Sequence, residues 1–160
     1  MLTANIICIG KLKEKYWVDA IKEYSKRLSS FCRFSVIELS ECKVNSDPNE
    51  KQIEHILQEE GSAILQKIKS TDYTVAMCIE GKNISSPQLA NLMDNIQLEG
   101  KSKVNFIIGG SWGLLEEVKQ RADYKLSMGK MTFPHQMARV MLTEQIYRSF
   151  QISSNGKYHK

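Results

Sequence analysis

The sequence predicts an α/β fold in which a parallel-type sheet is flanked by helices on both faces. Short apolar runs that end in glycine, such as Ile6–Ile9 before Gly10, are typical of strands buried on both faces. Helical segments separate these runs, and that alternation indicates parallel strands joined by crossovers. The 160 residues contain no repeat, low-complexity tract or linker, so we expect one domain over residues 1–160.

The first half of the chain supplies further elements of this alternation after the first strand. Apolar residues three and four positions apart predict two helices, the second of which tolerates Gly61 at a cost of about 1 kcal/mol. β-forming residues predict a strand between them, and a polar stretch with a proline predicts a loop. In order, these are the helix Trp17–Leu28, the strand Phe34–Leu39, the loop Glu41–Asn49 and the helix Ile53–Ile68.

The second half continues with three strands and three helices. Ser86 and Pro87 fit the N-cap and the first position of a helix. In order, the predicted elements are the strand Tyr73–Ile79, the helix Ser86–Gly100, the strand Val104–Ile108, the short helix Leu114–Ala122, the strand near Tyr124–Ser127 and a last helix from Pro134 to about Phe150.

The last helix is apolar over more than half of its circumference. One side can cover its own sheet, and the other side needs a second partner. In a chain this small, that pattern favours another copy of the same chain, so we expect a homodimer. Coverage by other elements of the same chain is the alternative.

Composition and cysteine spacing exclude several classes of protein. A net charge of +4 is compatible with a polyanionic partner, although many proteins that bind no nucleic acid carry as much. The apolar run Ala4–Ile9 is too short for a signal peptide, and no stretch is long enough to cross a membrane, so we expect a cytoplasmic, reducing location. Neither a disulfide framework nor a metal site is indicated by the four cysteines, Cys8, Cys32, Cys42 and Cys78.

The glycine cluster Gly109–Gly113 follows the fourth strand, where open α/β sheets bind ligands. Its spacing is not that of a dinucleotide loop, and no acidic residue follows about twenty positions later. A phosphate-binding loop is equally unsupported around Gly129 and Lys130, because the earlier glycine and the adjacent hydroxyl residue are missing. The cluster alone is either a turn or a ligand loop.

Three segments contain glycine and lie at the end of a predicted strand, namely Glu80–Lys82, Gly109–Gly113 and Ser127–Phe133. Three such loops at one sheet edge can enclose a molecule the size of adenosine. S-adenosylmethionine has no phosphate, so backbone groups and an apolar wall suffice to bind it. Methyl transfer also needs little apparatus beyond alignment of the nucleophile with the methyl carbon.

The histidines and arginines supply the candidate polar chemistry. His55 lies in a polar helix and fits a solvated surface, whereas His135 is either a locally bonded helix residue or part of a pocket. His159 lies near the end of the chain, where fraying is common, but its aromatic and basic neighbours suit an RNA contact. Arg139 and Arg148 lie on the otherwise apolar last helix and need partners there.

Four segments resemble the RlmH family, the small SPOUT methyltransferases that methylate N3 of a pseudouridine in 23S ribosomal RNA. The resemblance covers essentially the whole chain. The segments are I-G-K-L-K-E-K-Y-W from Ile9, I-E-G-K from Ile79, I-I-G-G-S-W-G-L from Ile107, and K-M-T-F-P-H-Q-M-A-R-V-M-L-T-E-Q-I-Y-R from Lys130 with a final Y-H-K.

The resemblance implies a homodimer with a deep trefoil knot in the C-terminal third and S-adenosylmethionine as cofactor. Met77 stands where family members often have leucine, a volume-conserving change. Trp112 replaces a smaller or polar residue in the glycine loop. The implied cofactor-binding residues are Met77, Gly109, Met128, Gly129, Lys130, Met131, Thr132 and Phe133.

The same resemblance makes Arg139, Tyr158 and His159 the candidates for substrate handling. The target nitrogen carries a proton that must leave, and we expect Tyr158 or His159 to assist that loss while Arg139 stabilises negative charge on the base. The C-terminal tail would complete a pocket in the dimer. The expected partner is 23S ribosomal RNA within the large subunit or the assembled ribosome.

Three alternatives remain open at this stage. One is a SPOUT methyltransferase that acts on another RNA site, although such relatives often carry extra RNA-binding domains. Another is a non-catalytic ribosome-binding factor that keeps the cofactor fold. A dinucleotide-dependent oxidoreductase is disfavoured by the missing acidic residue.

Overall fold

The computed structural model describes residues 1–44 and 46–160 and shows a five-stranded parallel sheet with the strand order β2-β1-β4-β3-β5. The fold class is therefore the predicted one. In chain order the elements are β1 (Thr3–Ile9), α1 (Lys15–Leu28), β2 (Arg33–Leu39), α2 (Glu50–Leu65), β3 (Tyr73–Asn83), α3 (Ser86–Leu98), β4 (Lys103–Ile108), α4 (Glu116–Arg121), β5 (Tyr124–Ser127) and α5 (His135–Ser153).

The central strands bury both faces because their side chains alternate between two apolar clusters. Ile6 of β1 and Phe106 of β4 belong to the larger cluster, which α1, α3 and α5 cover. Ile7 and Ile107, the next residue on each strand, belong to the smaller cluster beneath α2 and α4. The helices thus form one layer on each side of the sheet.

Several predicted boundaries shift by a few residues, and three of these shifts change the interpretation. Helix α3 is capped by Ser85 and not by Ser86, because Ser85 and Gln88 form a reciprocal capping box. The side chain of Ser86 instead donates a hydrogen bond to Gln145 on α5 at 2.6 Å. Helix α2 ends at Leu65, so Ile68 lies in the turn beyond it. Strand β3 continues to Asn83 after an irregularity that the next subsection describes.

The loop predicted for residues 41–49 contains Asn45, which lies outside the described residues, and its described part carries no helix or strand up to the residue that caps α2. Elsewhere the described helices include none that is long and apolar enough to span a bilayer. All four cysteines are free thiols.

Helix α5 has two sides with different burial. Leu142, Ile146 and Phe150 lie in the core cluster under the sheet. Met137 and Met141 lie on a side that is only half-buried in the protomer. Apolar residues around more than half of the helix predict self-association, and this is the side that the other described elements leave half-buried. The dimer and the trefoil knot remain predictions.

Candidate active site

A cavity of about 620 Å³ lies at the carboxyl edge of the sheet. This is the edge at which parallel α/β sheets bind ligands, and the volume falls within the ~300–1,000 Å³ range of small-molecule sites. The ends of β3, β4 and β5 and the first turn of α5 enclose it. The three turns singled out in the sequence therefore meet around one space.

The cavity opens where β3 separates from its neighbours. The β3–β4 ladder ends at the pair Ala76 and Ile107. On the other side, β3 pairs Met77 with Leu126 and then Lys82 with the same residue, so residues 78–81 bulge out of the sheet. This bulge forms one wall of the cavity.

An ion pair holds the bulge on α4. Lys119 donates a hydrogen bond to Glu80 at 2.5 Å, and both side chains line the cavity. This hydrogen bond lowers the pKa of Glu80 and raises the pKa of Lys119. Burial raises the pKa of the nearby Cys78 thiol, so this sulfur stays protonated near neutral pH.

The loop after β4 brings the backbone close to itself. Gly113 donates a backbone hydrogen bond to Gly110 at 3.1 Å. A Cβ atom at Gly109 would collide with the carbonyl oxygen of Gly113, so only glycine allows this loop to close beside the cavity. The adjacent Leu114 adds an apolar side chain to the wall.

The loop after β5 forms the opposite wall. Residues 128–134 have no regular secondary structure, so their backbone groups are outside a ladder or helix. Ser127 fixes the first turn, since its Oγ accepts a hydrogen bond from the Gly129 amide at 3.1 Å. Gly129 has a φ of +126°, a conformation that other residues rarely adopt.

Seven of the eight expected cofactor-binding residues line this cavity, and Lys130 lies in the same loop without lining it. His135, for which two interpretations were open, also lines it. The expected residues that do so are Met77, Gly109, Met128, Gly129, Met131, Thr132 and Phe133. Sequence reasoning missed Lys119 and Ala138, which are brought in by packing, and the apolar pattern around them carries no sign of a ligand.

The residues present fit a molecule such as S-adenosylmethionine. Ile108, Leu126 and Phe133 provide an apolar wall for a flat, neutral ring. The irregular loops provide backbone donors and acceptors. The Glu80–Lys119 pair supplies one charge of each sign, which suits a zwitterionic amino-acid group.

The expected substrate-handling residues Tyr158 and His159 lie elsewhere in the protomer and do not line the cavity. Tyr158 donates a hydrogen bond to Glu144 at 3.0 Å, and its hydroxyl is 3.4 Å from that of Tyr24. Its ring packs edge-on against Tyr147 with centroids 4.9 Å apart. Burial and then these two hydrogen bonds raise the pKa of Tyr158.

The end of the tail is held by α5. Arg148 pairs with Glu144 at 2.5 Å and lies over the ring of Tyr158 at 4.8 Å. The Nδ1 atom of His159 lies 3.1 Å from the guanidinium of Arg148. The tail is therefore packed against α5 and does not fold over the cavity of this chain.

Arg139 occupies a third place. Only 1% of its surface is exposed, and its guanidinium pairs with Glu38 at 2.8 Å and donates to the carbonyl of Gly10 at 3.2 Å. Its Nε atom is buried without a hydrogen-bond partner among the described residues. The structure thus joins α5 to the ends of β1 and β2 through Arg139, and the guanidinium does not line the cavity.

Comparison with known proteins gives the class. Residues 2–159 match the family model described as "Predicted SPOUT methyltransferase". A solved structure, that of a probable methylase family protein from Haemophilus influenzae Rd KW20, aligns with 98% of this chain and 70% of its own at a TM-score of 0.54 and 13% identity, which supports the fold alone. The chain belongs to the SPOUT methyltransferase family.

Within this family the similarity is more specific. The chain is 50% identical over 159 residues to the ribosomal RNA large subunit methyltransferase H of Clostridium novyi (strain NT), an alignment that covers 99% of this chain and 100% of the relative. It is 47% identical over 160 residues to the protein of the same name from Oenococcus oeni, with full coverage of both. These matches confirm the resemblance on which the sequence interpretation depends.

Proposed function

We propose that this protein methylates RNA of the large ribosomal subunit and uses S-adenosylmethionine as the donor. The observation that carries the proposal is the cavity at which three strand-end turns converge, in a chain about half identical to proteins named ribosomal RNA large subunit methyltransferase H. The cofactor supplies a methyl group activated on a sulfonium. The cavity walls bind and orient it and exclude water.

At a finer level, the target is N3 of a pseudouridine in 23S ribosomal RNA, and the active unit is a homodimer with a trefoil knot. Two observations support a shared site. The cavity lacks a tail residue of its own chain, and the Met137–Met141 side of α5 is half-buried and apolar. A partner that packs on α5 would bring its own tail toward the cavity. The dimer would act in the cytoplasm, on the subunit or the ribosome.

Proton removal from N3 belongs to His159 in this proposal. The raised pKa of Tyr158 keeps its phenol protonated, so Tyr158 acts as a hydrogen-bond donor and not as a base. His159 lies beside Tyr158 in the chain, and the same tail would carry both groups to the base. A neutral imidazole has a ring nitrogen that can accept a proton, so His159 is the candidate general base.

Arg139 reaches a base only if its contacts with Glu38 and Gly10 open. The guanidinium is itself buried and would lose its pairing, so this opening would need compensation from the substrate. We therefore propose that Arg139 stabilises the site chiefly through α5 and the adjoining loop. The variants Arg139→Lys and Glu38→Gln distinguish this positioning role from direct stabilisation of charge on the base.

Two measurements test the proposed function. Calorimetry should show micromolar binding of S-adenosylmethionine, whereas an affinity of millimolar or weaker would favour a non-catalytic ribosome-binding factor. Mass-spectrometric mapping of ribosomal RNA from cells that lack the protein should show the loss of one methyl group at a large-subunit pseudouridine, and the purified protein should restore it. Loss at another RNA, or no loss, would contradict the proposal.

A further inference from the structure

The loop between β1 and α1, together with the first turn of α1, carries a concentration of cationic and aromatic side chains that the proposed methyl-transfer chemistry does not use. Lys11, Lys13 and Lys15 occupy alternate positions and are exposed. Tyr16 follows them with 62% of its surface exposed, and its ring meets that of Trp17 edge-on at 4.8 Å. We call residues 11–17 the basic loop.

The basic loop begins beside the cavity. Strand β1 lies next to β4, with Cys8 paired to Ile108, and both strands end at the same edge. The residues that follow Ile108 line the cavity, and those that follow Ile9 form the basic loop. A molecule that occupies the mouth of the cavity therefore has the basic loop within its reach.

Hydrogen bonds fix the backbone of this region. The Lys13 amide donates to the side chain of Gln136 at 3.2 Å, and Gln136 directly follows the cavity residue His135. The Leu12 amide donates to Glu38 at 3.3 Å. The same carboxylate holds Arg139, which also binds the carbonyl of Gly10. The loop is thus preorganised on the first turns of α5, while its lysine side chains project outward.

The exposed groups suit a polynucleotide. Lys11 and Lys13 form no ion pair with any residue in the described part of the chain, whereas Lys15 pairs with Asp19 at 2.7 Å. Unpaired lysines attract phosphates, and an exposed tyrosine supported by a second ring provides a surface on which a base can stack. Two copies of such a loop would repel one another across a twofold axis, which disfavours a second copy as the occupant.

We propose that the basic loop binds the RNA substrate, with Lys11 and Lys13 on backbone phosphates and Tyr16 stacked on an unpaired base near the target nucleotide. The inference rests on the proposed function in that RNA is the substrate. It adds the surface that positions this RNA relative to the cavity.

The test compares Lys11→Gln/Lys13→Gln and Tyr16→Ala with the unchanged protein, using labelled large ribosomal subunits and whole ribosomes from cells that lack the protein. Two lost phosphate contacts should reduce the slope of log affinity against log salt by about 1.4–1.8. Tyr16→Ala should weaken binding about tenfold and leave that slope unchanged. Calorimetry should show that both variants bind S-adenosylmethionine normally.

A matched control is Lys67→Gln/Lys69→Gln. These lysines are exposed but precede β3, at the opposite edge of the sheet, so their replacement should leave the salt slope unchanged. The proposal is overturned if the basic-loop variants match this control. It is also overturned if they alter only the dimer dissociation constant, which would assign the surface to a second copy. Failure of the unchanged protein to bind or methylate either particle would instead refute the proposed function.

Discussion

The cavity and the C-terminal tail are built in contrasting ways. The cavity is closed by backbone turns, and its shape depends on Gly109, where a Cβ atom would collide with the backbone, and on Gly129, whose φ of +126° strains any other residue. The tail is held by side chains, through the contacts of Tyr158 and His159 with Glu144 and Arg148 on α5.

This difference separates two tasks. The proposed donor site is complete within one chain, because one sheet edge supplies all of the cavity walls. The tail residues proposed to act on the substrate lie outside it and pack against α5, whose Met137–Met141 side is half-buried. In a homodimer, the cavity of one chain and the tail of the other could together form one complete site.

The largest effect is expected from Gly109→Val. A side chain at this position collides with the Gly113 carbonyl, so the loop must move away from the cavity. Binding of S-adenosylmethionine must then return the loop to its overpacked position, which costs up to about 3 kcal/mol. That cost corresponds to about a hundredfold loss of affinity. Calorimetry on the folded variant checks this result.

Gly100→Ala is the matched control for that experiment. A Cβ atom there meets no neighbour within 4 Å, although φ is +79°. The variant should lose about 1 kcal/mol of stability and bind the cofactor normally. Equal cofactor affinity in both variants would show that the glycine loop does not shape the site.

Removal of Tyr158–Lys160 should affect chemistry without affecting the donor. We expect the single-turnover methylation rate at saturating RNA to fall about a hundredfold, the lower range for loss of acid–base assistance. Cofactor affinity should stay within about twofold, because these residues lie outside the cavity. Deletion of Lys160 alone is the control, and a nearly neutral longer deletion would remove the tail from the mechanism.

Arg139→Lys and Glu38→Gln together distinguish a positioning role from direct contact. If Arg139 positions α5 and the basic loop, both variants should lower kcat/KM about tenfold, since lysine cannot reproduce the guanidinium contacts and glutamine weakens the ion pair. Direct contact with the base predicts a different pattern. Glu38→Gln would then free the guanidinium and preserve or raise kcat while Arg139→Lys lowers it.

The smallest effect concerns alkaline stability. The folded chain holds the pKa of Tyr158 above its ordinary value of 10.0, so the unfolded chain releases this proton first as the pH rises. The resulting stabilisation is present below about pH 10 and is lost above it. The free energy of unfolding, measured with denaturant, should therefore fall more steeply above pH 10 in the unchanged protein than in Tyr158→Phe.

The comparison with the Tyr158→Phe variant is needed because other groups titrate in the same range. Burial raises the pKa of Cys8 and Cys32 to about 11, and both proteins share that contribution. The difference between them isolates the phenol. Parallel pH profiles would contradict the half-buried, hydrogen-bonded environment of Tyr158.

Local patterns in the sequence were sufficient to predict the sheet and the cavity loops. Runs such as Ile6–Ile9 predict strands buried on both faces, because successive side chains point to opposite faces of the sheet and all of them are apolar. Glycines after β4 and β5 mark places where a loop approaches closely or φ is positive. The N-cap of α3 was misplaced by one residue, since only the reciprocal bonds of Ser85 and Gln88 decide between two adjacent serines.

Local sequence patterns could not identify contacts between residues that lie far apart in the chain. The sequence indicated that Arg139 needs a partner, but Glu38 is 101 positions away and β2 lies at the edge of the sheet. The buried chain of hydrogen bonds from Asn5 through Asn105 to Asp72 is likewise visible only when three strands or their flanks meet. The bulge that opens β3 depends on its pairing with β5, which periodicity does not report.

The most direct test of a shared site is complementation between two inactive chains. One chain carries Gly109→Val and an intact tail, and the other has an intact cavity and lacks Tyr158–Lys160. If the tail of one protomer serves the cavity of its partner, purified heterodimers carry one working site and should show roughly half of the normal methylation rate per dimer. If each cavity uses its own tail, the heterodimer has no working site and stays inactive, which would contradict the account.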